Sequence, residues 1–324
     1  MTRVLLFSFF SVFFAGCSAT LPFLSHKESA AEKILNEMEL AYSGSDCLKV
    51  HSLYEKFSAE KPSSALREKA YYYEGLCYEK EETADKAIGI YKIAAELYPK
   101  NHVFTYRLAL VYNAAGFYDK ALPLFQKVID KNFKETGAVI GAARASRSLG
   151  RMEKAAEYYD AAIAMSGDNN AALIAEYAGC LTEAARFGEA RSVIEKGIAA
   201  KDGPEWAAMA AVTFAAEGRF AEASSSMDMA LSRENRREYR ISKSFYDFWA
   251  GKKDSALSAA EKELEAAPGD PLAAFLKGMI LRSEGKTEEG NRYFRISACG
   301  GKFLYDISVR MSSETLPPEK ELCG

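Results

Sequence analysis

The sequence predicts an all-α protein, a right-handed α-α superhelix of about seven to eight helix pairs. Three observations lead to this prediction. Alanine is abundant, while proline occurs only 9 times in 324 residues, a composition that favours long helices. Apolar residues follow the three-to-four-residue spacing of amphipathic helices. A pattern of small and aromatic residues also returns about every 34 residues along most of the chain, and such a period is typical of stacked repeats.

The chain begins with a stretch that predicts export. The apolar run 4–14 follows Arg3; it is too short to span a bilayer but suits the hydrophobic part of a signal peptide. Ala15 and Gly16 then precede Cys17. This order resembles a bacterial lipobox, which implies a lipoprotein signal peptide over 1–16 and lipidation of Cys17.

One residue departs from the usual lipobox, because Phe14 stands where leucine is commoner. Two alternatives therefore stay open. The first is an ordinary secretory signal that is cut after Ala19, and the second is a buried N-terminal helix.

The lipobox resemblance also predicts a location. Acylation at Cys17 adds more than one fatty chain, and two chains suffice for stable anchoring. Ser18 follows the cysteine; in enteric-type sorting, aspartate there retains a lipoprotein in the inner membrane. We therefore expect a bacterial cell-envelope protein, lipid-anchored in the outer membrane and facing the periplasm, with residues 17–28 as a short membrane-proximal tether.

The 34-residue period is clearest from residue 71 onward. One unit has Gly75, Tyr78, Ala87, Tyr91, Ala94 and Pro99 in order. The position of Ala87 returns after steps of 34, 34, 35, 33, 33 and 34 residues, at Ala121, Ala155, Ala190, Ala223, Ala256 and Gly290. These residues resemble the tetratricopeptide repeat, which implies a solenoid over 29–301 and leaves 302–324 as a capping helix and tail.

Elementary packing supports the same architecture. Each unit contains two amphipathic stretches joined by a turn, often at a glycine. A small residue lets two helix backbones approach, and an aromatic residue four positions later fills the space beside it. Since one helix pair cannot bury its apolar face alone, neighbouring pairs must stack.

No catalytic set is evident in the sequence. The three histidines are scattered without the spacing of metal ligands, and no Gly-x-Ser-x-Gly motif is present. The stretch 284–289 resembles part of a phosphate-binding loop, but the required preceding glycine is Ile280. We expect a protein that is not an enzyme and needs no metal or cofactor.

The cysteines bear on the compartment. After lipidation of Cys17 five remain, so an oxidising environment would leave at least one unpaired within the chain. The pairing is left open; a Cys47–Cys77 bridge is conceivable, and buried free thiols are the expectation for most of the five.

The tetratricopeptide resemblance implies that the first helix of each pair lines a concave groove. The candidate groove residues are aromatic, cationic or amide side chains: Tyr72, Tyr73, Tyr106, Arg107, Asn113, Arg144, Arg147, Phe245 and Phe248. This groove suits an extended or helical peptide with an acidic group near the arginines. The aromatic residues could instead pack between helices. The basic stretch 233–240 is either a solvated face or a contact for lipid head groups, glycan or an acidic partner.

We therefore expect a non-catalytic envelope lipoprotein that acts as a scaffold or adaptor for other envelope proteins. The alternative is a small-molecule-binding lipoprotein that works with a transporter, and a minor alternative is a peptidoglycan-related enzyme. A net charge of −3 and the export signal argue against nucleic acid as a partner. An oligomer is compatible with the sequence.

Overall fold

The computed structural model describes residues 29–131, 135–167, 170–312 and 316–323. The predicted signal peptide (1–16), the predicted tether (17–28) and Cys17 lie outside these ranges. In the described ranges the chain is helical and has no strand. The helices are α1 (Ala30–Ser43), α2 (Cys47–Ala59), α3 (Ser64–Lys80), α4 (Ala84–Leu97), α5 (His102–Ala114), α6 (Tyr118–Asp130), α7 (Thr136–Ser148), α8 (Met152–Ser166), α9 (Ala171–Glu183), α10 (Phe187–Ala200), α11 (Pro204–Ala216), α12 (Phe220–Arg233), α13 (Arg237–Trp249), α14 (Lys253–Ala266), α15 (Pro271–Ser283), α16 (Thr287–Ala298), α17 (Lys302–Met311) and α18 (Glu319–Cys323).

Two compact units divide the chain between Glu81 and Glu82. The first unit contains α1, α2 and α3, which pack on one another around Met38, Val50 and Phe57. The second unit contains α4 to α18, and within it each helix from α4 to α16 packs on its successor, while α18 lies beside α16. The predicted all-α fold of consecutive helix pairs is confirmed.

The turn within each helix pair uses a left-handed residue at a fixed place. φ is 79° at Gly116, 71° at Gly150, 81° at Gly218 and 83° at Gly285, a backbone conformation that glycine adopts without a steric cost. At Gly285 the next N–H, that of Lys286, donates to the Leu281 carbonyl, which closes a Schellman-type helix end. Gly285 therefore serves as a helix-ending turn.

The repeated small and aromatic positions lie in the core, as the pattern predicts. Ala87, Ala121 and Ala155 are fully buried, and so are Tyr91 and Phe125. Helix pairs also approach closely at glycines. A Cβ atom added to Gly141 of α7 would lie 2.3 Å from the Phe125 ring of α6.

This contact gives a direct test of the packing. Gly141→Ala should lower the free energy of unfolding by about 1–3 kcal/mol, because the buried Phe125 ring has no room to move away. The matched control is Gly188→Ala in α10, where an added Cβ meets nothing within 4 Å. That change should raise stability by about 0.5–1 kcal/mol through helix propensity. Urea unfolding followed by circular dichroism measures both, and equal effects would contradict the close approach.

The expectation of mostly free thiols is wrong. Cys47 pairs with Cys77, with 5.3 Å between the Cα atoms, and Cys299 pairs with Cys323, with 5.4 Å. Only Cys180, among the cysteines in the described ranges, is a buried free thiol. Spacing along the sequence does not reveal which helix faces meet, so only the packing of α2 on α3 and of α18 beside α16 determines these pairs.

Candidate functional site

The candidate groove residues in the first unit are Tyr72 and Tyr73, both on α3. Both side chains are partly buried. The Tyr73 ring lies 5.7 Å from that of Tyr42 and 5.9 Å from that of Tyr72. Tyr73 also packs against the core of the first unit, so at least one of these tyrosines has a packing role.

Three further candidates lie on α5. The ring of Tyr106 lies 6.3 Å from that of Phe125 and packs against the core that α5, α6 and α7 share. Arg107 and Asn113 are partly exposed, and the Oδ1 atom of Asn113 is buried without a hydrogen-bond partner in the described ranges. The partner-binding role of these residues stays a prediction.

The two candidate arginines of α7 are held by glutamates of α9. Arg144 donates from Nε and Nη2 to Glu176 at 2.8 and 2.7 Å. Arg147 donates in the same two-pronged way to Glu183 at 2.9 and 2.5 Å. Burial by itself would raise the pKa of Glu176, but the hydrogen bonds and the positive charge of Arg144, with smaller contributions from neighbouring groups, together outweigh burial, and the pKa is lowered. The hydrogen bond from Arg147 likewise lowers the pKa of Glu183. The two arginines therefore form ion pairs without net charge. An acidic group of a ligand would have to displace a glutamate from its arginine before it could bind there.

The last two candidates lie on α13 and pack toward α15. The Phe245 ring lies 6.4 Å from that of Phe275, and the Phe248 ring lies 5.1 Å from that of Trp249. Both phenylalanines contact the core cluster that contains Phe294. These contacts favour the alternative interpretation, in which the two phenylalanines pack between helices.

The basic stretch 233–240 is neutralised by its neighbours. Each of its arginines has an acidic partner: Arg233 pairs with Asp202, Arg236 with Glu234, Arg237 with Asp270, and Arg240 with Glu263. Most of these partners come from other helices or loops. The cluster of positive charge seen in the sequence is thus a set of ion pairs in the fold, which weakens the case for an acidic or lipid ligand there.

A hollow that the sequence did not reveal lies among three successive first helices, α9, α11 and α13. Its volume is about 460 Å³. We call it the α11 hollow and define it by its lining residues: Arg147, Gly179, Thr182, Glu183, Glu205, Ala208, Met209, Val212, Met227, Glu238, Tyr239 and Ser242. The α11 residues among them follow helical spacing, but recognising them as a lining requires knowing which face of α11 stays uncovered.

Asp247 is a buried carboxylate that the sequence also did not single out. It accepts hydrogen bonds from Ser224 Oγ at 2.6 Å, Lys243 Nζ at 2.7 Å and Ser255 Oγ at 3.1 Å. These groups come from α12, α13 and α14, so the carboxylate joins three helices. Because it joins side chains of three helices, Asp247 is a structural group.

This network should make stability depend on pH in acid. Burial alone would raise the pKa of Asp247, but the hydrogen bonds that the carboxylate accepts and the positive charge of Lys243 together outweigh burial, and the pKa is lowered. A carboxyl whose pKa is depressed by folding stabilises the fold above its unfolded pKa of about 3.9, and this contribution is lost as the pH falls through the folded pKa. Asp247→Asn should therefore reduce the loss of stability below about pH 4. Urea unfolding at pH 7 and at pH 3.5 measures it; an unchanged pH dependence in the variant would contradict the assignment.

Neither a metal-binding cluster nor a membrane-spanning helix is found in the described ranges. No group of three or more histidine, cysteine, aspartate or glutamate side chains in those ranges is placed to hold a metal ion. Among the described helices, none combines the length and the apolar character that crossing a membrane requires.

The paired helices, the left-handed turns and the uncovered first-helix faces define a helical-repeat protein. Two family models described as tetratricopeptide repeat match residues 106–170 and 146–213. Residues 106–213 thus carry tetratricopeptide repeats, and such repeats generally form scaffolds for protein–protein interaction.

Solved structures agree on the fold. A tetratricopeptide repeat protein from Parabacteroides merdae is 14% identical, with a TM-score of 0.61 over 76% of this chain and 99% of that one. The C-terminal part of a repeat-containing protein from Cytophaga hutchinsonii is 14% identical, with a TM-score of 0.56 over 73% of this chain and 98% of that one. No curated protein matches the chain.

Proposed function

We propose that this protein is a bacterial envelope lipoprotein whose repeats hold another envelope protein without catalysing a reaction. The observation that carries the proposal is the α11 hollow, because it leaves the apolar side chains of α11 partly uncovered between α9 and α13. Val212, one of these residues, has 52% of its surface exposed. Apolar surface that stays open on a repeat protein is typical of a protein-binding face.

The disulfides support an envelope location. Cys47–Cys77 and Cys299–Cys323 both lie within bonding geometry, and such bonds persist in oxidising compartments such as the bacterial periplasm. A cytoplasmic protein would seldom keep both.

Lipidation has a simple expected result. Cells that express the wild-type chain should incorporate labelled palmitate into it, because the acylated cysteine is the proposed anchor. Cys17→Ser should abolish both the label and the recovery of the chain in the membrane fraction. Cys180→Ser is the matched control, since that thiol is buried in the fold, and it should keep the label. Equal labelling of the wild type and Cys17→Ser would contradict the anchor.

The proposed scaffold role is tested by crosslinking in the native envelope. A photo-reactive side chain is placed at Ala172, which is exposed on α9 and shares a face with Glu176 and Gly179 by helical spacing. It should capture one or a few envelope proteins. The control position is Met165 at the end of α8, where capture should be weak. Identical capture from both positions, or none from either, would contradict the scaffold proposal.

A further inference from the structure

The α11 hollow has a chemistry that specifies its ligand more closely than the family does. We propose that it binds a segment of a partner protein in which an apolar side chain stands next to a lysine or arginine. This inference rests on the proposed function, since it assumes that the first-helix face binds protein. It reverses the sign of the ligand charge that the sequence predicts.

The floor of the hollow is apolar. Ala208, Met209 and Val212 occupy one face of α11, and Met227 of α12 lies beneath them. Met227 is almost fully buried, whereas Val212 has 52% of its surface exposed. An apolar side chain that entered here would remove the exposed surface of Val212 from water, and burial of apolar surface is the main source of favourable binding free energy.

The cations around the hollow are already compensated. Arg147 is paired with Glu183, and Arg240 is paired with Glu263. Arg236 is paired with Glu234 at 2.6 Å. An acidic ligand would therefore have to break an existing ion pair before it gained a new one.

The acidic groups at the rim are not compensated in this way. Glu205 and Glu238 both line the hollow, and neither has an ion pair within 4 Å among the described residues. The charge of Arg236 acts on Glu205, and that of Arg240 on Glu238, only from beyond that distance. Each lies in the first turn of its helix, α11 or α13, where the helix dipole favours a negative charge. The helix dipole thus explains why each glutamate is stable at its own position. Together the two glutamates place two negative charges beside one apolar floor. A ligand with a positive charge would complement them.

The position of the hollow favours a polypeptide as the occupant. Most of its lining comes from three first helices in succession, α9, α11 and α13, with one residue each from α7 and α12. An extended segment of several residues can contact all three at once, with its apolar side chain on the floor and its cation at the rim.

The test is selection from a random peptide library displayed on phage, with the full chain purified in detergent as the target. The selected peptides should be enriched in an apolar residue adjacent to lysine or arginine. Synthetic peptides from the selection are then titrated against two variants. Val212→Asp and the double change Glu205→Lys with Glu238→Lys should each weaken binding at least tenfold.

Matched controls separate the hollow from the rest of the surface. Met229→Asp alters an equally exposed apolar residue of α12, 56% exposed, and Glu195→Lys reverses an exposed charge on α10. Both should leave the affinity within about twofold. Enrichment of acidic peptides, failure to enrich any peptide, or equal binding by wild type and Val212→Asp would overturn the inference. Capture from Ala172 in the envelope would still support the scaffold role in each of those cases, so the two failures are distinguishable.

Discussion

Asp247→Ala should lower the free energy of unfolding by about 3 kcal/mol, because it removes the buried partner of a lysine and of two hydroxyl groups. Asp247 has only 2% of its surface exposed. In the variant, Ser224 Oγ and Ser255 Oγ lose the carboxylate to which they donate, and both hydroxyls must find other partners or stay unsatisfied. The lost hydrogen bonds connect α12, α13 and α14.

The control uses the same lysine. Lys243 Nζ also lies 3.6 Å from Asp228, whose side chain is 61% exposed. Asp228→Ala should therefore change stability by less than about 0.5 kcal/mol, as is usual for exposed ion pairs. Urea unfolding at pH 7 measures both variants. Comparable losses would mean that burial of Asp247 contributes little.

Loss of the Cys47–Cys77 disulfide should destabilise the first unit by about 3 kcal/mol, because the bond closes a loop of 30 residues in the unfolded chain. Both sulfur atoms belong to the core of that unit, where Cys77 is fully buried. The first unit has only three described helices, so this crosslink should be a large part of its stability. The double variant Cys47→Ser with Cys77→Ser tests this. Amide hydrogen exchange in α1, α2 and α3 measures the loss of stability of the first unit.

The second disulfide is the matched control. Cys299–Cys323 attaches α18, which has no buried residues. Breaking it also releases α18 in the folded state, so the entropy gained by the unfolded chain is largely offset. Cys299→Ser with Cys323→Ser should therefore cost about 1 kcal/mol or less and leave exchange in the first unit unchanged. An equal effect of both pairs on α1–α3 would contradict the assignment of the first bond to that core.

The candidate site was only partly predictable. The sequence indicated first helices as the binding face, and it placed Arg144 and Arg147 on α7. Their partners Glu176 and Glu183 lie 32 and 36 residues further on, about one repeat away. An arginine therefore looks uncompensated in the sequence although its partner comes from the next repeat. The same effect makes the stretch 233–240 look strongly basic.

The sequence by itself determined the repeat. Three local requirements recur with the period. They are glycine at most of the left-handed turns, alanine where helices come close, and aromatic residues beside the alanines. Such requirements act between residues within one unit or between adjacent units, so a pattern along the chain is enough to express them.

Tertiary structure alone decided what the surface offers. The disulfide pairs, the ion pairs of Arg144 and Arg147 and the apolar floor around Val212 depend on which side chains meet across separate helices. The physical reason is that helical periodicity fixes which residues share a face, whereas the packing angle and offset of neighbouring helices fix what that face meets. The same amphipathic pattern can therefore give either a buried core or an open hollow, depending on how the neighbouring helices pack.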